Sequence, residues 1–103
     1  MGIYYEMKIV AQKVGLSPKT LRMWIREGLI EPQREGQRYI FDEQDLQRLL
    51  LIRRLRDDLG VNLAGIDIIL QLLDRIRELQ GEIEHLRRLT GVTQVQVAGE
   101  LED

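Results

Sequence analysis

Cysteine is absent from the 103 residues, which excludes disulfides, thiolate metal sites and a cysteine nucleophile. Histidine occurs once, at His85, which leaves no histidine metal cluster and no Ser–His pair to pursue. No apolar run approaches the roughly 18 residues that a bilayer-spanning helix needs. The first residues lack the basic-then-apolar pattern of a secretion signal, so a cytoplasmic protein with no membrane partner is expected. No cofactor is expected. The adjacent carboxylates Asp57 and Asp58 fall at a helix end and read as a solvated pair, and no other residues suggest an enzyme.

A formal net charge of −2 hides an uneven distribution. Residues 1–56 hold 11 Lys/Arg against 7 Asp/Glu, while residues 57–103 hold 4 Arg against 10 Asp/Glu. Chance clustering on solvated faces is the plain account of such asymmetry. The alternative is one half that meets a polyanion and another half with a separate task.

Helix-start signals repeat along the chain. Leu16-Ser17-Pro18 offers a hydrophobic N′ residue, a Ser N-cap and Pro at the first helical position, with Leu21 placed to staple back onto Leu16. Phe41-Asp42 with Leu46 repeats the device, and so does Val61-Asn62 with Ile66. Gly15, Gly28 and Gly60 stand where helices close. The expected order is helix 7–14, a tight turn, helix 18–27, a loop through Pro32 and Gly36, helix 43–58 and helix 63–89. Tyr4-Tyr5 and Arg38-Tyr39-Ile40 are short and β-prone, and could pair as a minimal ribbon. Two short helices joined by a turn and flanked by such a ribbon form a winged helix-turn-helix pattern. The fold class is therefore all-α with a minimal β wing, followed by a long C-terminal helix. The expected division is 1–60 for the winged domain, 61–90 for the C-terminal helix and 91–103 for a weakly structured tail.

From Ile69 the apolar residues fall on a heptad, with Ile69, Ile76 and Ile83 at a and Leu72, Leu79 and Leu86 at d. A single helix carrying an Ile/Leu stripe pairs with something, either its own domain or another chain. The early part, Ile66 to Leu73, is apolar almost all round and suits packing on the chain's own domain. The later part reads as a dimer seam, with Gly81 at an outward position and His85 facing solvent.

Stepping about 100° per residue along 18–27 puts Leu21 and Ile25 on one face with Trp24 at its edge. Trp24 reads as a partly buried core residue rather than a stacking platform. Lys19, Arg22, Met23 and Arg26 take the opposite face, with Thr20 beside them and the loop residues Arg34, Arg38 and Tyr39 nearby. Such a surface suits docking in a major groove with cations on the phosphates. A merely solubilising face is the competing account.

The stretches "MKIVA", "GLSPKTLR" and "GLIEP", then "FDEQDL" and "GVNLAGI", resemble the MerR family over roughly residues 5–90. The resemblance implies winged-helix transcriptional regulators that dimerise through a C-terminal helix in antiparallel pairing and bind a pseudo-palindromic operator in double-stranded DNA. It places Thr20 and Arg22 at the family's "TLR" positions on the DNA-reading helix and Arg38 in the wing. Met23 and Ile25 stand where the family usually has Tyr and Glu, and Tyr39-Ile40 stand where it usually has a basic pair. The segment "DDLGVNLAGIDIIL" is similar to two subgroups. One comprises heat-shock repressors upstream of chaperone genes. The other comprises small chaperone modulators that bind a J-domain co-chaperone rather than DNA. The first is the expected reading, and the second is its alternative. Little chain remains after the seam for an effector domain, so any regulation would come from a protein partner, temperature or oligomerisation.

Overall fold

The computed structural model describes residues 2–91. The expected tail, apart from Gly91, lies outside the described residues. The order of elements is β1 (Tyr5–Glu6), α1 (Met7–Val14), α2 (Pro18–Arg26), β2 (Gln33–Glu35), β3 (Arg38–Phe41), α3 (Glu43–Asp57) and α4 (Leu63–Thr90). Every expected helix is present, with ends that agree to within one residue. The chain divides into two compact units, one running to Asp67 and the other beginning at Ile68.

Local chemistry explains the helix ends in the first unit. Ser17 caps α2 by accepting a hydrogen bond from the Thr20 N–H at 3.1 Å, with Pro18 behind it. Asp42 and Asp45 form a reciprocal capping box at the start of α3, with bonds of 2.8 and 3.0 Å. Burial pushes the Asp45 carboxyl above its ordinary range, with the charge of Asp42 acting in the same direction. Asn62 Oδ1 accepts from the Gly65 N–H at 2.8 Å and opens α4. Helix α2 closes by paired bonds, Gly28 N–H to Ile25 O and Leu29 N–H to Trp24 O, each 3.0 Å.

The turn between α1 and α2 depends on Gly15, whose φ is +69°. A Cβ there would lie 2.8 Å from Arg53 Nη1, and that same nitrogen donates to the Val14 carbonyl at 2.6 Å. The guanidinium of α3 thus caps the C-terminal end of α1 and ties the two helices together.

Val10, Leu21, Trp24, Ile30, Phe41, Leu49, Ile52 and Ile66 are fully buried in this unit, and no polar or charged residue among those described is buried with them. Trp24 corrects the helical-wheel expectation of an edge position. It is fully enclosed with Leu21, three residues earlier, whereas Ile25 is only half-buried. Arg56 explains how the indole is covered, because its guanidinium lies 5.3 Å from the ring centroid and is gripped by Asp57 through bonds of 2.6 and 3.2 Å.

The ribbon also differs from expectation. It has three strands in the order β1-β3-β2, all antiparallel, with β3 in the middle. Residues Gln33–Glu35, expected as loop, form the added strand. They are polar and exposed throughout, so no apolar alternation marks them. The signal lies in the turn, because Gly36 takes φ +65° at the first central position of a two-residue hairpin loop, as a type II′ turn requires.

In the second unit α4 continues as a regular helix whose apolar stripe stays half-exposed. Leu72, Ile76, Leu79, Ile83 and Leu86 each show 40–58% of their surface, while Ile69 is half-buried and Leu70 buried.

Candidate nucleic-acid interface

The buried pair Leu21 and Trp24 fixes the roll of α2 and thereby decides which side chains it displays. Lys19, Arg22 and Arg26 point to solvent, and Thr20 and Met23 sit half-buried between them and the core. The Thr20 hydroxyl is engaged locally, accepting from Ser17 Oγ at 3.0 Å. Lys8, Lys19, Arg22 and Arg26 make no ion pair with any described residue, so their charge faces water.

The hairpin of β2 and β3 supplies the second wall. Its register pairs Arg34 with Tyr39 and Glu35 with Arg38. The Arg34 guanidinium stacks 4.7 Å from the Tyr39 ring centroid, a cross-strand cation–π pair that braces the hairpin. Arg38 is held more firmly. Its Nη1 donates to Glu6 Oε1 at 2.5 Å and its Nη2 to Glu35 Oε1 at 2.9 Å. Glu6 occupies the N-cap position of α1 yet makes no capping bond, because its carboxylate is turned to Arg38.

Between helix and hairpin lies a shallow cleft of about 300 Å³ lined by Glu6, Met7, Lys8, Arg22, Gln37, Arg38 and Tyr39. Three of the sequence-derived candidates, Arg22, Arg38 and Tyr39, meet there. Lys19, Thr20, Met23, Arg26 and Arg34 lie outside it, the first four on α2 to either side of Arg22 and the last on β2. Lys8 and Gln37 were missed by sequence reasoning. Lys8 sits at the second position of α1, and no local pattern aims it toward residues 22 or 38. Gln37 follows the turn glycine, so recognising the hairpin would have found it. A cleft with two cations that have no carboxylate partner among the described residues, an aromatic edge and an amide can bind an extended anion. No group of His, Asp or Glu among the described residues could hold a metal ion.

The chain is 39% identical over 85 residues to a provisionally named heat shock protein, HspR, of Streptomyces coelicolor, which covers 80% of this chain and 55% of that one. It is 38% identical over 87 residues to the uncharacterized HTH-type transcriptional regulator slr0701 of Synechocystis, covering 82% and 63% respectively. The chain therefore spans less than two thirds of the length of these relatives. Among solved structures it superposes on HiNmlR, a MerR family regulator lacking the sensor domain, bound to promoter DNA. There the TM-score is 0.65 at 25% identity, over 97% of this chain and 80% of that one. It superposes equally, with a TM-score of 0.65 at 31% identity, on the transcription regulator PbrR691 of Ralstonia metallidurans in complex with lead(II), over 95% and 81%. Residues 5–88 match the MerR HTH family of regulatory proteins, and the chain belongs to that family.

Proposed function

We propose that the chain is a DNA-binding transcriptional regulator that acts as a homodimer in the cytoplasm, with chaperone or stress genes among its targets. The observation that carries this reading is the displayed basic face of α2, set beside a β-hairpin and backed by a core with no buried charge among the described residues. Family membership supports regulation over enzymology. The promoter DNA held by HiNmlR supports duplex DNA as the partner, and the heat shock name of the Streptomyces relative supports the target class.

In this reading residues 1–60 form the winged DNA-binding domain and residues 61–90 the dimerising helix. Lys19, Arg22 and Arg26 approach the groove with Thr20 and Met23 beside them, and Arg34, Arg38 and Tyr39 belong to the wing. The half-exposed stripe of Ile69, Leu72, Ile76, Leu79, Ile83 and Leu86 closes against the same stripe of a second chain. Pairing two α2 helices in this way suits a pseudo-palindromic operator.

Selection of duplexes from a random library, followed by anisotropy titration at two salt concentrations, tests the proposal. The expected result is an enriched palindrome whose affinity falls steeply with salt. Arg22→Ala should weaken binding to all sequences alike and reduce the salt slope by about 0.9, the loss of one phosphate contact. Absence of a motif, with weak binding insensitive to salt, would contradict the reading and turn the basic face over to a protein partner such as a J-domain co-chaperone.

A further inference from the structure

The cleft between α2 and the hairpin holds three cations, but they are not equivalent. Lys8 and Arg22 have no carboxylate partner among the described residues, whereas Arg38 is shared between Glu6 and Glu35. Two carboxylates around one guanidinium leave the Glu6–Arg38–Glu35 cluster with a formal charge of −1. All three side chains are well exposed, from 59 to 66%. A phosphate approaching this corner meets net repulsion rather than attraction. The arrangement is also not a by-product of helix capping, because Glu6 leaves its N-cap role unfilled to reach Arg38 across 32 residues of sequence.

Resting on the DNA reading above, we propose that Glu6 and Glu35 are specificity-determining residues that withhold Arg38 from backbone phosphate. The sequence-independent attraction of the cleft then comes from Lys8 and Arg22. Arg38 serves to position the hairpin against β1, and the acidic clasp keeps non-operator duplex from being held by the wing. Exposed ion pairs of this kind are individually weak. Their effect is therefore one of charge balance at the surface, which duplex binding reads directly, and not one of large stability.

The test is anisotropy titration of the full chain with a mixed-sequence duplex across a range of salt. Lys8→Ala and Arg22→Ala should each reduce the slope of log affinity against log salt by about 0.9, and adding Arg38→Ala to the double change Glu6→Gln/Glu35→Gln should return the slope to the parent value. Glu35→Gln and the double change Glu6→Gln/Glu35→Gln should tighten binding to this duplex. The double change should also steepen the slope by about 0.9, equivalent to roughly a threefold larger loss of affinity for a fourfold rise in salt. Because Glu6→Gln could loosen β1, thermal melts of each variant accompany the titrations, and Glu35→Gln offers a second route through the hairpin alone. Discrimination between an operator and the mixed duplex should fall in the same variants.

If adding Arg38→Ala to the double change leaves the steepened slope in place, Arg38 is not what the carboxylates withhold, and the clasp proposal is overturned while the DNA reading stands. If the Glu→Gln variants melt normally and bind as the parent does, the proposal is likewise overturned. If the parent chain shows no salt-dependent binding to any duplex, both this inference and the DNA reading fail together.

Discussion

Leu49 of α3 and Leu79 of α4 are the same residue on two long helices of one small chain, yet the first is fully buried and the second 40% exposed. The difference extends across the units that contain them. Up to Asp67, apolar side chains from α1, α2, β3 and α3 enclose one another, and Lys19, Arg22 and Arg26 of α2 are left to face water. Beyond it, Leu72, Ile76, Leu79, Ile83 and Leu86 recur every three or four residues and remain half-exposed, among acidic and basic residues in equal number. The first unit therefore encloses a core of its own. The second carries a stripe whose remaining exposed surface, worth about 1 kcal/mol for half of a Leu or Ile side chain, is what the proposed second chain would cover. In the proposed function, the displayed cations of α2 and the apolar stripe of α4 divide recognition and pairing between surfaces of different chemistry.

The sharpest way to break this comparison is to cut the same side chain in both units. Leu49→Ala should cost about 3 kcal/mol in denaturant unfolding, at any protein concentration. The cost of Leu79→Ala should instead grow with protein concentration and fade in dilute solution, as expected for a contact made between chains. Equal and concentration-independent losses would show that the α4 stripe is satisfied within one chain.

A smaller effect sharpens the account of the first unit. Arg53→Ala removes the donor that caps the Val14 carbonyl and should destabilise by about 1–2 kcal/mol. A circular-dichroism melt unchanged by this variant would remove the link between α1 and α3.

The smallest effect concerns pH. The Arg56 guanidinium beside Asp57 holds that carboxyl below its ordinary range. A depressed carboxylate stabilises the fold at pH values above its unfolded pKa, and that contribution disappears as pH falls through the folded value. Asp57→Asn should therefore lower the melting temperature slightly at neutral pH, and the gap from the parent should close in strong acid. A gap that persists unchanged there would assign the difference to packing around Arg56 and Trp24 rather than to charge.

Much of this structure is written in local chemistry. Ser17, Asp42 and Asn62 open helices, and Gly15 and Gly28 close them, because capping involves residues only a few positions apart. Features that depend on distant residues were not legible. The strand Gln33–Glu35 has no apolar face and owes its pairing to β3. The burial of Trp24 depends on an arginine 32 residues later. The display face of α2 was visible from periodicity, and so was the presence of basic residues in the wing. That Arg38 is occupied by Glu6 and Glu35, and that Lys8 joins Arg22 in the cleft, follows only from how the hairpin folds onto β1.

The most direct test of the account is the mass of the complex on a selected duplex, measured by native mass spectrometry for the parent chain and for Ile76→Glu/Ile83→Glu. The account predicts two chains per duplex for the parent. It predicts loss of that species, with the first unit still folded by circular dichroism, for the variant. One parent chain per duplex, or a two-chain complex that survives both charges in the stripe, would contradict it.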